Sequence, residues 1–238
     1  AKVINDGGYS LEPVYDHLFM ADNNKSNEII FPVTFDGLFT QTYGGTTFLT
    51  HSTIGGDATS ASDSSYFAVQ FGWGGNRATP EFAENFPDND DSRNMFFVDG
   101  QTLEFTDDTQ LGQFVVGWPI AKWRNITSTG VLGSDGTGNF VDTDFPMFRL
   151  ADVYLMYAEC AARGAGDVSL GLGYVNAIRE RAYGDAAHNV ASITPESVLA
   201  ERARELQFEA QRRTDLIRFG LFTGGEYVWA FKGGPYNG

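Results

Sequence analysis

The sequence predicts a mainly α protein in which a long loop-rich region with short strands precedes a helical C-terminal part. Two observations carry this reading. Apolar residues recur at sustained helical spacing only beyond Pro146. Before that point the chain is rich in Gly, Ser, Thr, Asn, Asp and aromatics, and its 28 glycines and 14% aromatic content exceed what a wholly helical protein carries. The expected organisation is therefore residues 1–145 as a loop-rich insert and 146–238 as a helical scaffold, both within one domain of 238 residues.

In the first region, "AKVINDGG" reads as the last turn of a helix closed by Gly7, which suggests a piece of a longer protein. A short helix is expected in "LEPVYDHLFM" (11–20) and another in "PEFAENF" (80–86), with Thr79 as N-cap and Pro80 at the first helical position. "NEIIFPVTF" (27–35) and "QFVVGWPI" (113–120) read as extended pieces.

From Pro146 the pattern turns helical. Leu150, Val153, Tyr154, Tyr157, Ala158 and Ala161 line one face, and Leu155, Met156 and Cys160 extend the apolarity, so this helix is expected to be largely buried. Tyr174, Val175, Ile178 and Ala182 mark a second helix ended by Gly184. Thr194 and Pro195 open a third, with a seam of Leu199, Ala203, Leu206, Ala210 and Ile217, closed by Gly220.

The third helix is dense in charge. Arg202, Arg204, Arg212, Arg213 and Arg218 alternate with Glu201, Glu205, Glu209 and Asp215, so the segment is balanced locally and is not a basic patch. Arg213 falls beside the seam, where an unpaired guanidinium is costly, and the other helices offer Asp152, Glu159 and Glu180 as partners. An inter-helix arginine–carboxylate network is expected, the alternative being a solvated face with pairs four residues apart.

Charge excludes some functions. With 31 acidic against 16 basic residues and a formal net charge of −15, the field of the chain opposes nucleic acid and anionic lipid. Cys160 is the only cysteine, so neither a disulfide framework nor a multi-cysteine metal site can form within the chain. No apolar run approaches the ~18 residues of a spanning helix. Nucleophile-elbow, P-loop and dinucleotide signatures are missing, no carboxylate pair stands out, and the sequence calls for no cofactor and no enzyme activity.

Three stretches carry a resemblance. "FPMFRLADVYLMYAECAARG" (145–164), "GYVNAIRERAYG" (173–184) and "ERARELQFEAQRRTDLIRFGLFTGGEYVWAFKGG" (201–234) closely resemble the C-terminal portion of the SusD/RagB family, the surface glycan-binding lipoproteins of Bacteroidetes. "GGYSLEPVYDHLF", "SNEIIFPVTFDG", "TYGGTTFL", "GWGGNRATPEF" and "DDSRNMF" fit as well. The resemblance implies tetratricopeptide-like helix pairs carrying sugar-binding loops, of which this chain would hold the second half. "LGLGY" (170–174) matches a piece of such a helix. It also implies an outer-membrane surface protein that takes up nutrients with a SusC-like TonB-dependent outer-membrane transporter, binds oligosaccharide or polysaccharide, and meets the membrane only through a lipid anchor absent from this chain; the alternatives are a tetratricopeptide-like scaffold that only binds the transporter and a glycoside hydrolase.

A sugar binder needs flat aromatic faces for C–H patches and planar polar groups for hydroxyls. "FGWGGNRATP" (71–80) supplies Trp73 framed by Gly72, Gly74 and Gly75, followed by Asn76 and Arg77. Either Trp73 is a sugar platform or the glycines pin it into the core. Tyr43, before Gly44 and Gly45, and Tyr66, in "SDSSYFAVQF", are further candidates, each with packing as its alternative. "FPDNDDSRNMFFVDG" (86–100) has calcium-like spacing, but Arg93 stands where such a loop requires Gly, and an Asp91–Arg93 pair is expected instead. Tyr227 and Trp229 are expected to anchor the end of the chain on the scaffold.

Overall fold

The computed structural model describes residues 1–55, 64–104 and 112–223. Its helical part begins after strand β2 (Phe145–Arg149), which pairs antiparallel with β1 (Ile29–Val33) and places Ile29 opposite Arg149 and Val33 opposite Phe145. The strand corrects the expectation that helix starts at Pro146. A proline disfavours helix in the residue before it, and Pro146 and Pro32 face each other at an irregular point of a two-stranded ribbon, where few ladder bonds are lost.

Helix α5 (Leu150–Ala162) follows directly and packs against α6 (Val168–Tyr183) and α7 (Pro195–Glu205). Ala151, Leu155 and Ala158 meet Val175, Ile178, Ile193 and Val198 in the core of this layer. Gly171 sits where a Cβ would lie 3.0 Å from that of Ala161, so its small size sets how closely α6 approaches α5. Three residues on, Tyr174 stacks on Tyr154 at 4.4 Å and 23°, so both halves of the "LGLGY" signal serve the same helix contact. Asp167 caps α6 by accepting from the backbone N–H groups of Ser169 and Leu170, and Gly184 ends it at φ 80°. Thr194 opens α7 with a capping box to Ser197.

Two expectations for the helices are corrected. Met156 and Cys160 are exposed, so the outer face of α5 is not buried. The third helix is not continuous: α7 ends at Glu205, a turn follows with Phe208 at φ 56° and Ala210 at φ 61°, and α8 (Arg212–Arg218) starts afresh. Leu199, Ala203 and Leu206 are buried as the seam requires, but Ala210 and Ile217 are exposed. The break has a tertiary cause, because the carbonyls that would continue the helix are taken by buried side chains. Glu205 O accepts from Tyr15 Oη at 2.6 Å and Arg149 Nη2 at 2.7 Å, Gln207 O from Lys122 Nζ at 2.6 Å, and Phe208 O from Trp123 Nε1 at 3.3 Å.

The charge network is present and reaches further than expected. Arg149, 1% exposed, donates to Glu28 at 2.8 Å, Glu205 at 2.5 Å and Glu209 at 2.8 Å. Arg181 joins Glu28 at 3.2 Å and Glu205 at 2.5 Å, and Lys122 joins Glu209 at 2.6 Å. Arg93 meets Asp91 at 2.7 Å, as expected, and also Glu201 at 2.5 Å. Arg202 links Asp152 (2.7 Å) to Asp215 (2.8 Å), and Arg218 reaches Glu159. Glu180 instead accepts from the side chain of Asn189 (2.6 Å). Arg213 is exposed and lies over the Phe222 ring, so it is not a seam residue. Together these pairs pin the strand ribbon and the loop at 91–95 onto the helical layer.

Residues before β2 are mostly loop among those described. Regular pieces there are α1 (Lys2–Asp6), α2 (Gly45–His51), α3 (Ser64–Phe67), α4 (Pro80–Ala83) and short 3-10 turns such as Tyr15–Phe19. Gly7 ends α1 in a right-handed conformation, and the positive φ falls on Gly8. The piece at 113–120 makes only isolated bridges, Val116 to Thr102, Trp118 to Ala78 and Ile120 to Phe96. Tyr227 and Trp229 lie outside the described residues.

Candidate functional site

The loop carrying Trp73 is wrapped around the C-terminal end of α2. The backbone N–H of Trp73 donates to His51 O (2.9 Å), that of Gly74 to Ile54 O (2.9 Å), and those of Gly75 and Asn76 both to Ser52 O (2.8 and 2.7 Å). A Cβ on Gly72 would lie 2.3 Å from Ile54 O, and Gly74 takes φ 62°, so the glycines serve this tight path rather than clearing space over the indole. The ring is half-buried, neither lost in the core nor free.

Aromatic rings gather around it. His51 stacks on Trp73 with ring centres 4.6 Å apart and planes 14° from parallel. Tyr43 and Phe48 lie with their ring centres 6.1 Å from Trp73, tilted by 56° and 48°. Tyr43 is 66% exposed and leans on Phe140, 5.0 Å away, while Phe48 is 43% exposed. Two sequence candidates, Tyr43 and Trp73, are thus brought together into one aromatic surface. Beside it, Val33, Phe35, Phe48, Leu49 and Phe145 line an apolar cleft of about 360 Å³.

The remaining candidates are placed differently. Asn76 donates its amide to Ser52 Oγ (2.9 Å), and Arg77 Nη1 donates to Gln113 O (2.6 Å) with its guanidinium 5.2 Å from the Phe114 ring centre. Burial pushes the Arg77 pKa down. Both residues are therefore partly engaged in holding the loop. Tyr66 belongs to another neighbourhood: Arg124 lies 4.1 Å over its ring and donates to its carbonyl at 3.1 Å. Burial raises the Tyr66 pKa.

Phe48, His51 and Phe140 were missed by sequence reasoning. Phe48 and His51 lie three residues apart on α2, the spacing that puts two side chains on one helix face, which was the available signal for this pair. Phe140 stands in the acidic stretch 133–144, whose sequence carries no local signal that brings it to Tyr43. Asp135 there accepts from the backbone N–H of Thr137 (2.9 Å), Asn139 (3.1 Å) and Phe140 (3.0 Å). Burial would raise its pKa, but these bonds outweigh that and lower it. Among the described residues, no group of three His, Cys, Asp or Glu side chains is placed to hold a metal ion.

Helix pairs thus carry an aromatic loop surface on their side, a scaffold-and-loop arrangement. Comparison with known proteins makes this specific. The SusD family model matches residues 103–236, and the chain belongs to that family. The chain is 34% identical to the starch-binding protein SusD of Bacteroides thetaiotaomicron, over 100% of its own length and 49% of that protein. It is similar in fold to a surface glycan-binding protein of Bacteroides fluxus (TM-score 0.67, 20% identity, 93% of this chain and 46% of that one). It is similar also to one of Bacteroides thetaiotaomicron solved in complex with laminarihexaose (TM-score 0.63, 20% identity, 98% and 54%). The chain thus spans about half the length of the curated relatives it matches. The tetratricopeptide-like helical architecture expected from the sequence is the architecture of this family.

Proposed function

We propose that this protein binds oligosaccharide or polysaccharide without transforming it, at the outer-membrane surface, for nutrient import together with a SusC-like TonB-dependent transporter. The observation that carries the reading is the Tyr43–Trp73–Phe48 cluster: aromatic rings held by backbone hydrogen bonds yet partly open, as stacking on sugar C–H faces requires. Asn76 and Arg77 border Trp73 in the same loop and are the polar side chains that would meet sugar hydroxyls beside the rings. Tyr66 contributes as a separate, outlying contact. The names of the relatives, a starch-binding protein and surface glycan-binding proteins, support the same ligand class.

Capture is an equilibrium and involves no bond breaking. An open polar site gives weak affinity, roughly micromolar to millimolar.

Electrophoresis of the chain through native gels containing a polysaccharide tests the reading. With the right glycan the wild-type band is retarded and the Trp73→Ala band runs freely, with no reducing ends released on incubation. Equal mobility of the two proteins in every gel that retards the wild type removes Trp73 from the site.

A further inference from the structure

His51 lies at the junction of the aromatic surface and has no exposed area. Its Nδ1 is 2.6 Å from Phe71 O and its Nε2 is 2.9 Å from Asn139 O. Phe71 belongs to the loop of Trp73, and Asn139 precedes Phe140, on which Tyr43 rests. The imidazole therefore ties the segment under one ring of the platform to the segment under the other, while its own face stacks on the indole.

Both acceptors are carbonyl oxygens, which can only accept. A neutral imidazole has one N–H and satisfies one of them, leaving a nitrogen lone pair against the other oxygen. The imidazolium has two N–H groups and satisfies both. We propose that His51 is a positioning residue of the glycan site, and that its second N–H, present only in the protonated ring, closes the tie between the two loops and fixes Trp73 and Tyr43 at their binding separation. This rests on the glycan-binding reading above.

The charged surroundings do not set the state of the ring. Helix α2 carries no other ionisable side chain. The loop of Trp73 has Arg77, directed to Gln113 O, and the 135–144 segment has Asp135, Asp142 and Asp144, which accept from backbone N–H groups of its own loop, of Gly37 and Ser134, and of Phe35. Among the described residues none of these forms an ion pair with His51. Burial lowers the pKa of His51 and the two carbonyls raise it, with the net effect downward from 6.5. Protonation therefore occurs below that pH. If the imidazolium is the competent state, apparent affinity weakens by up to about tenfold for each pH unit above the pKa, until the affinity of the neutral state is reached.

The test is an NMR titration of the wild-type chain from pH 8 to pH 5, following the His51 imidazole, the Trp73 indole and the Tyr43 ring, with glycan affinity measured along the same range. The expected result is one shared midpoint for the three side chains and affinity that rises as pH falls. In His51→Phe, which keeps a ring under the indole but no N–H, the Trp73 and Tyr43 signals lose that midpoint and the affinity becomes flat with pH. His51 titrating without moving Trp73 and Tyr43, or affinity flat with pH in a wild-type protein that binds, overturns the proposal. Shared titration with no binding of any glycan at any pH upholds the His51 tie as a structural coupling and overturns the glycan reading of the site.

Discussion

Replacing Arg149 with Met removes the cation at the centre of the buried network while keeping a side chain of similar reach. Its guanidinium serves Glu28, Glu205, Glu209 and the carbonyl of Glu205. After the change, Glu28 and Glu205 share Arg181, Glu205 also keeps its longer contact to Arg93 (3.4 Å) and Glu209 keeps Lys122, so all three carboxylates lose one close cation in a region closed to water. Removing one partner of a buried pair costs about 3–5 kcal/mol, because the desolvated opposite charge is left behind. With a urea m-value of about 2.5 kcal/mol/M, a loss of about 4 kcal/mol moves the unfolding midpoint by roughly 1.6 M.

The assay is urea unfolding followed by circular dichroism, with Arg163→Met as control. Arg163 pairs with Glu159 at 2.9 Å but is 46% exposed, so its loss stays within about 0.5 kcal/mol. Two further results identify charge as the cause. Adding Glu28→Gln to Arg149→Met removes one of the buried carboxylates that lost its guanidinium partner and recovers part of the loss. Lowering the pH toward 5 narrows the gap to wild type, since a buried carboxylate that has lost its guanidinium partner has a raised pKa in the variant and takes up a proton. An Arg149→Met midpoint equal to that of Arg163→Met refutes the network as a stabilising feature.

Other outcomes follow from the same structure. Glu201 is buried, which by itself raises its pKa, but Arg93 and Arg204 outweigh burial and bring it to about 2 from 4.5. A depressed carboxylate pKa gives stability that is complete above the unfolded value, so the contribution of Glu201, on the order of 3 kcal/mol, is lost as pH falls from about 4.5 toward 2, and the urea midpoint should drop across that window and stay level above it. Ala210 is exposed at φ 61°, a conformation that costs an L residue about 1 kcal/mol, so Ala210→Gly should raise the urea midpoint slightly, and a lower midpoint would contradict the strained-turn account. Gly171→Val should lower stability by roughly 1–3 kcal/mol by forcing α6 away from Ala161 and Ala158, with thermal unfolding as the readout.

Helices α5 and α6 were legible in the sequence because local signals agree with their tertiary role: the apolar spacing from Leu150 to Ala161, that from Tyr174 to Ala182 and the left-handed Gly184 all act within a few residues. The break after Glu205 was not legible. Nothing between 201 and 220 forbids a continuous helix, and the groups that stop it, Tyr15, Lys122, Trp123 and Arg149, come from distant parts of the chain. Charge alternation announced the network but could not reveal its centre, since Arg149 and Arg93 lie outside the alternating segment. At the candidate site, Trp73 and Tyr43 were visible as aromatics beside glycines, although the glycines act on the chain path around Ser52 and Ile54. His51 carried no local signal, because its role comes from carbonyls 20 and 88 residues away.

The central claim is that the Tyr43–Trp73 surface binds glycan. Titration calorimetry of the chain against a panel of oligosaccharides, with Trp73→Ala and Tyr43→Ala on the glycan that binds, tests it most directly. The account predicts weak binding to at least one member and a loss of about tenfold or more in each variant, in line with removal of a ring contact worth about 1.4 kcal/mol or more, with circular dichroism unchanged. Unaltered affinity in both variants, or no heat of binding with any glycan, would contradict it.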